Sequence, residues 1–510
     1  MIRAARNLHR LFTIARVLAR HDALEVVDLP VAAFASKLFR LGQPPVHEGR
    51  PGQRLAAALV ELGPTFIKLG QALSTRADLL GEEMAADLSE LQDRLAPFPA
   101  AEARRIVETE LDAPLAEMFL SFDDQPVAAA SIAQVHFAIT ADGQEVAVKV
   151  LRPGVERAFA RDLDLLRWLA EWAEFTQPGL RRLKPLESVE TFAESVQLEM
   201  DLRFEAAAAA ELAENFAGDE TFRVPSVDWV RTAQRVLTLE RVAGIPVDER
   251  DAIVAAGLDL DAVLKKAAES FFNMVFRDGF FHADMHPGNL FVDSDGNLVA
   301  VDFGIMGRVD ERTRRFLGEM LLGFLNGDYR RVAEVHFEAG FVPADKSVDN
   351  FTQACRSIAE PIMGRPLHEI SIARLLGQMF QVTEQFAMQT QPQLLMLQKS
   401  MLVAEGVGRT LDPSVNMWEL ARPLIEGWMI DNLGPQARVK STVVNAVGAL
   451  ERLPRMLAET EKAYTAMMNG GLKLHPDTVK AMRGESGRRS APGWVPWVLA
   501  AILAAMLVLK

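Results

Sequence analysis

The sequence predicts an α+β protein of two lobes, a small sheet lobe followed by a helical lobe, with added N-terminal helices and a C-terminal membrane helix. Three observations carry this expectation. Ala and Leu are abundant and only two tyrosines occur (Tyr329 and Tyr464), a balance that favours helix over extensive sheet. Strand signals gather in two stretches, within 127–150 and 224–242. A hairpin signal stands apart at Leu290–Val292 and Leu298–Val301, two apolar runs around an Asp/Gly/Asn turn.

Composition bounds the function classes. A chain of 510 residues holds two or more domains, or one large domain with extensions. Its net charge of −14 excludes nucleic-acid binding by bulk charge. Cys355 is the single cysteine, which excludes an internal disulfide and any multi-cysteine metal site. The expected order is basic N-terminal helices (1–54), a helical extension (55–122), the sheet lobe (123–244), the helical lobe (245–414), C-terminal helices and linker (415–490), and a membrane anchor (491–510).

The elements follow in order. Residues 1–40 read as helix, with Ile2, Ala5, Leu8, Phe12 and Ala15 at helical spacing and Arg3, Arg6, Arg10, Arg16 and Arg20 between them. This basic helix fits a membrane surface, or equally a helix packed on its own protein with a solvated basic face. No apolar run long enough for a secretory signal follows Met1, so the expectation is a cytoplasmic chain. After a Gly/Pro linker, Pro64 suits the first turn of a new helix that runs through Lys68, Gly70 and Gln71. Gly70 costs this helix about 1 kcal/mol relative to Ala, so close approach of another backbone is expected there. A further helix begins at Ala100.

From Phe122 the period changes. Residues Val127 to Ala138 read as strand, tight turn, strand, and Glu145–Val150 as a third strand after Asp142-Gly143. Small residues in the first turn let backbone amides approach a phosphate. Lys149 then stands where a lysine meets α- and β-phosphates. Such a lysine needs an acid behind it, and the helical stretch 155–217 offers Glu199, Asp201 and Glu205. Two more strands are expected between Val224 and Val242; Glu240 near their end is placed with the nucleotide-binding residues, and Ala243-Gly244-Ile245-Pro246 suits a hinge.

The stretch His282–Gly304 organises the rest. The hairpin carries Asp284, Asn289 and Asp302 to one end of a ribbon. Carboxylate and amide oxygens suit magnesium, and one further carboxylate near the attacking hydroxyl or water completes the set. Asp284 followed five residues on by Asn289, then Asp302-Phe303-Gly304, has the spacing of the protein-kinase catalytic loop and its Asp-Phe-Gly element. A protein kinase would carry an activation segment and an Ala-Pro-Glu anchor next. Here the chain runs from Met306 to Arg312 straight toward helix, with Asp310 as N-cap.

The tail is apolar. The sixteen uncharged residues from Trp494 to Leu509 would span about 24 Å as a helix, against a hydrocarbon core of roughly 30 Å. Trp494, Trp497 and Lys510 suit the interface, and Arg488 and Arg489 would keep the bulk of the protein on the cytoplasmic side.

Assembled, these residues resemble the UbiB family of atypical kinase-like proteins, from about Leu62 to about Pro413. The Lys-x-Gly-Gln motif of the family falls on Lys68, Gly70 and Gln71. Its alanine-rich loop, standing in for a glycine-rich loop, falls on Ala128, Ala129, Ala130, Ser131, Ile132, Ala133, Gln134 and Val135, followed by His136. The strand lysine is Lys149, the Glu-x-Asp motif is Glu199 and Asp201, and Glu205 takes the place of the acid that pairs with the lysine. Asp284, Asn289 and Asp302 take the catalytic and metal positions. The resemblance implies a kinase-like fold that binds ATP with Mg2+. It implies that the Lys68 segment lies over the active site near Glu199 and Asp201, where a protein substrate would dock. It also implies a role in ubiquinone biosynthesis at the bacterial inner membrane, with membrane lipid, polyprenyl-phenol intermediates and other ubiquinone biosynthesis proteins as partners and no nucleic acid. ATP hydrolysis coupled to lipid handling is the activity expected. The alternatives are a protein kinase acting in trans and a nucleotide-gated lipid carrier or scaffold. The apolar face of the N-terminal helices would serve a homodimer. An alanine loop avoids the φ > 0 shapes open to glycine, so nucleotide geometry is expected to differ from that in protein kinases.

Overall fold

Period-two alternation builds the larger sheet. It holds β1 (Phe119–Phe122), β2 (Ala128–Ala129), β3 (Ala133–Thr140), β4 (Glu145–Leu151) and, later in the chain, a strand at Val236–Glu240. Along β4, Val146, Val148 and Val150 are buried in a cluster with Ala103, Ile106 and Val107 of the helix Ala100–Leu111. The alternate positions, Ala147 and Lys149, therefore point to the other face, because successive strand residues do so. A computed structural model supplies these coordinates and describes residues 2–23, 49–74, 80–89, 91, 95–176, 184–361, 382–383, 385–388, 392–413 and 417–433. The chain divides into two compact units, Met1–Asp431 and Asn432–Lys510, and both lobes belong to the first.

Three helices separate the sheet strands from the rest. Val155–Thr176 and Pro185–Glu199 pack side by side, and Leu202–Asn215 follows after a break at Met200-Asp201. The break has a local cause: the Asp201 carboxylate accepts from the Arg203 amide and caps the new helix. Then come β5 (Phe222–Arg223), β6 (the strand Val236–Glu240) and β7 (Ile245–Pro246). β6 pairs antiparallel with β4, placing Leu237 opposite Lys149.

The second lobe begins with helices Arg250–Ala255 and Leu260–Phe272 and continues into β8 (Phe280–His282), β9 (Leu290–Val292), β10 (Leu298–Ala300) and β11 (Met306–Arg308). β9 and β10 form the expected hairpin, with Leu298 opposite Val292 and Ala300 opposite Leu290. β5 and β7 flank it in a four-stranded sheet. β8 and β11 make a separate two-stranded ribbon that ties the start of the His282 stretch to its end. Helices Glu311–Leu325, Tyr329–Glu338, Val348–Ala359, Pro392–Leu411 and Met417–Leu433 complete the lobe. Asp310 caps the first of these, its carboxylate accepting from the Thr313 amide at 2.7 Å. The largest core joins both lobes through Leu151, Leu202, Leu237, Phe281, Phe303 and Leu411.

The N-terminal helix Ile2–Arg20 lies on its own protein. Arg6 pairs with Asp164 at 2.6 Å, Arg10 with buried Asp162 at 2.8 Å, and Arg20 with Glu61. Leu8 and Phe12 keep 47% and 54% exposure. Pro64 opens a helix to Ser74, as its sequence suggests. The neighbour at Gly70 differs from expectation. Side chains rather than backbone crowd it: a Cβ there would stand 2.5 Å from Leu91 and 2.7 Å from Leu59. Among the described residues, no helix is long and apolar enough to cross a membrane, and the anticipated anchor at 491–510 lies outside them.

Candidate active site

Lys149 is the centre of the site. Its Nζ donates to Glu205 Oε1 at 2.7 Å and Oε2 at 2.9 Å, and to Asp302 Oδ2 at 3.2 Å. The sheet supplies the lysine, the helix Leu202–Asn215 supplies the glutamate, and the second residue past β10 is the aspartate. Burial alone would push the Lys149 ammonium down; the Asp302 and Glu205 carboxylates outweigh it and hold the group above its ordinary value. Burial likewise opposes charge on Asp302, yet Lys149 and the Gly304 amide hold that carboxyl well below its usual range. Glu205, only 7% exposed, is pushed up by its burial. So Lys149 and Asp302 are charged near neutral pH, Glu205 grips the ammonium through both oxygens despite its burial, and Asp302, 42% exposed, is the one open to a ligand.

Of the three acids open to Lys149 in the sequence, packing selects Glu205. Glu199 instead pairs with Lys68 at 2.9 Å, and Asp201 holds the Arg203 guanidinium and its amide. Lys68 thus reaches the end of the helix that precedes Glu205, with Gln71 one turn further along the helix Pro64–Ser74.

The loop after β8 is ordered by His282. Its Nδ1 accepts from the Asp284 amide at 3.1 Å, and its Nε2 carries the proton donated to the Asp302 carbonyl. One imidazole therefore links the backbone of both carboxylates. Burial holds His282 neutral, against the pull of Asp302 and Asp284. Burial also lowers His136 and His336. These groups stay neutral in the fold while the unfolded chain protonates, so their contribution is complete above about pH 6.5 and is lost as pH falls toward their lowered folded values. Each contributes a slope of up to about 1.4 kcal/mol per pH unit in that window. The urea midpoint is expected to drop between about pH 7.5 and about pH 5.5; a flat midpoint would contradict the buried neutral assignment.

Asn289 closes the set. Its Nδ2 donates to the Asp284 carbonyl at 3.1 Å and toward Asp284 Oδ2 at 3.5 Å. With the amide nitrogen committed to Asp284, its Oδ1 is the atom left for a metal. Gly304 donates its amide to Asp302 Oδ1 at 2.9 Å, and a Cβ at Gly304 would meet that same oxygen at 3.2 Å. A side chain at the glycine of Asp-Phe-Gly would thus crowd the carboxylate that folds back over it and push it by a few tenths of an ångström.

The alanine loop is a tight turn. β2 pairs with β3 through Ala128 opposite Val135 and Ala129 opposite Gln134. The Ala130 amide donates to the Ala133 carbonyl at 2.8 Å, and Arg152 Nε donates to the Ala130 carbonyl at 2.9 Å. None of residues 128–135 adopts a positive φ. Ser131 is fully buried, and its hydroxyl has no hydrogen-bond partner among the described residues. The Gln134 side chain is committed elsewhere, to the backbone of Phe98 and to His136. The Glu240 carboxylate meets Arg223 and accepts from Ser226.

One contact had no sequence signal. Lys399 of the helix Pro392–Leu411 places Nζ 3.0 Å from Asp284 Oδ1, across 115 residues of chain. A lysine in a helix ordinarily reads as a solvated face.

Two family models match this chain. Residues 90–336 match the ABC1 atypical kinase-like domain, and residues 355–416 match the UbiB helical domain. A protein of Marinobacter nauticus named "Probable protein kinase UbiB" is 40% identical over 98% of this chain and 93% of its own length. One of Tolumonas auensis with the same name is 41% identical over 88% of this chain and 84% of its own. Among solved structures, a Mycobacterium tuberculosis protein in complex with erythromycin is 28% identical, with a TM-score of 0.49 over 73% of this chain and 95% of that one. With both domains present in order and such identity along nearly its whole length, the chain belongs to the UbiB family of atypical kinase-like proteins.

Proposed function

We propose that the chain is a membrane-associated ATPase of kinase-like design that supports ubiquinone biosynthesis and couples Mg-ATP to handling of lipid intermediates or of the biosynthetic assembly. The observation that carries it is Lys149 held between Glu205 and Asp302, with the Asn289 amide nitrogen turned to Asp284. The donor set fits the metal. Among the described residues no three His, Cys, Asp or Glu side chains gather into a metal cluster of their own. Magnesium is usually held by one or two carboxylates plus substrate phosphates, and Asp302 with Asn289 supplies a set of that kind. When bound, the ion neutralises charge between the phosphates. Lys149 orients the phosphate chain, Glu205 keeps the lysine in place, and Asp284 takes the proton of the attacking water or hydroxyl.

The short connection after Gly304 bears on the acceptor. β11 ends at Arg308 and a helix starts at Glu311. That span is too short to be a peptide-docking activation segment, which supports turnover on water or a small hydroxyl over a protein in trans. The relatives' name, "Probable protein kinase", favours the second reading, phosphorylation of a protein partner. The apolar run Trp494–Leu509 supports attachment to the inner membrane.

The test is ATP hydrolysis by the full chain in anionic liposomes, with and without a ubiquinone-like phenol. Stimulation by lipid or phenol is the expected result. ATP binding without hydrolysis under every condition would leave a nucleotide-gated carrier or scaffold instead, and phosphate transfer to a purified ubiquinone biosynthesis protein would leave a kinase.

A further inference from the structure

The loop from His282 to Asn289 contains no Lys or Arg, so it brings no permanent cation to the side of the site where Asp284 stands. Lys149 is engaged with Glu205 and Asp302. Yet phosphoryl transfer spreads negative charge over the equatorial oxygens of the moving group, and positioned cations there are a main source of rate. The residue that meets Asp284 comes from outside the kinase-like domain. Lys399 lies in the segment that matches the UbiB helical domain, and its Nζ is 3.0 Å from Asp284 Oδ1.

Two facts argue against a mere surface ion pair. The helix is docked by its own core residues, since Leu397 and Ser400 on either side of Lys399 are buried. The lysine is therefore delivered by packing, not by the pair. And the side chains of Lys399 and Asp284 retain 40% and 32% exposure, so both are open to an incoming ligand. An exposed pair of this kind contributes about 0–1 kcal/mol to stability, too little to explain it by folding alone.

We propose that Lys399 is a further catalytic residue, lent by the helical domain to the kinase-like site, which contacts the transferred phosphoryl group beside Asp284. This rests on the Mg-ATP reading of the site. A nucleophile hydrogen-bonded to Asp284 Oδ1 would lie within about 6 Å of the Lys399 ammonium, which puts the lysine on the side where the phosphoryl group is received. In the step, the bond from the γ-phosphorus to the bridging oxygen breaks and ADP leaves with that electron pair. The bond from the phosphorus to the nucleophile oxygen forms, and the nucleophile's proton passes to the Asp284 carboxylate. Lys399 exchanges no proton; it offsets charge.

The experiment compares wild type, Lys399→Met and Lys399→Arg as full chains in liposomes. Turnover, ATP and ADP affinity by calorimetry, and thermal melting are read on each. Lys399→Met is expected to lower turnover about 100-fold and ATP affinity about 10-fold, with ADP affinity and melting unchanged, because only ATP carries the γ-phosphoryl. Lys399→Arg is expected to regain at least about a tenth of the turnover, since it restores the charge. If wild type binds without turning over, a fall in the ratio of ATP to ADP affinity in Lys399→Met decides alone. Lys399→Met that matches wild type in turnover and in that ratio overturns the proposal while the Mg-ATP reading stands. Faster turnover overturns it too, making Lys399 an occluding contact. Wild type that binds neither nucleotide brings down the Mg-ATP reading itself and this proposal with it.

Discussion

Asp302→Asn is expected to abolish magnesium-dependent ATP turnover, a loss of at least about a thousandfold, in a chain that stays folded. The substitution keeps shape and removes charge. Asp302 is the exposed carboxylate of the site, and Lys149 with the Gly304 amide holds it ionised far below neutral pH. It is therefore ionised at any physiological pH, as the proposed metal site requires, and an amide cannot replace that charge. Folding should tolerate the change because Glu205 still holds Lys149 through both oxygens. The affinity for ADP without magnesium should stay near that of wild type, whereas the gain in affinity on adding magnesium should vanish. Turnover within tenfold of wild type would remove Asp302 from the metal site and with it the ATPase reading.

Asp302 was also the easiest residue to find in the sequence, for a physical reason. Its partners Asp284 and Asn289 are local, and one two-stranded turn brings all three together. Local spacing survives into three dimensions. Glu205 was harder: any acid on the helical stretch has the same sequence signature, and only the break capped by Asp201 turns Glu205 inward and leaves Glu199 for Lys68. The Gly70 contact was half legible, since a costly glycine signals crowding but not whether Leu59 and Leu91 or a backbone does it. The ribbon of β8 and β11 is three residues on each side, too short for alternation to register. Lys399 was invisible, because helix packing alone brings it to Asp284.

Glu205→Gln is expected to do two things at once: to cost the fold about 3 kcal/mol and to lower turnover about 100-fold with a raised magnesium requirement. Glu205 is 7% exposed and carries the closer share of Lys149, 2.7 and 2.9 Å against 3.2 Å to Asp302. Removing its charge leaves a largely buried ammonium with one anionic partner, which is the costly way to break a buried pair. That partner, Asp302, is the proposed metal ligand. With Glu205 neutral, Lys149 settles on Asp302, and magnesium must compete with the ammonium for the same carboxylate. In the proposed site the wild-type geometry would avoid this, because Glu205 gives the lysine a second acid to hold. A cycle with Lys149→Met distinguishes this competition from simple loss of packing. If competition is the cause, Lys149→Met in the Glu205→Gln background returns the magnesium requirement toward the wild-type value while turnover stays low. If the magnesium requirement does not move in Glu205→Gln, Glu205 is a packing residue and its effect on turnover comes from lost lysine placement alone.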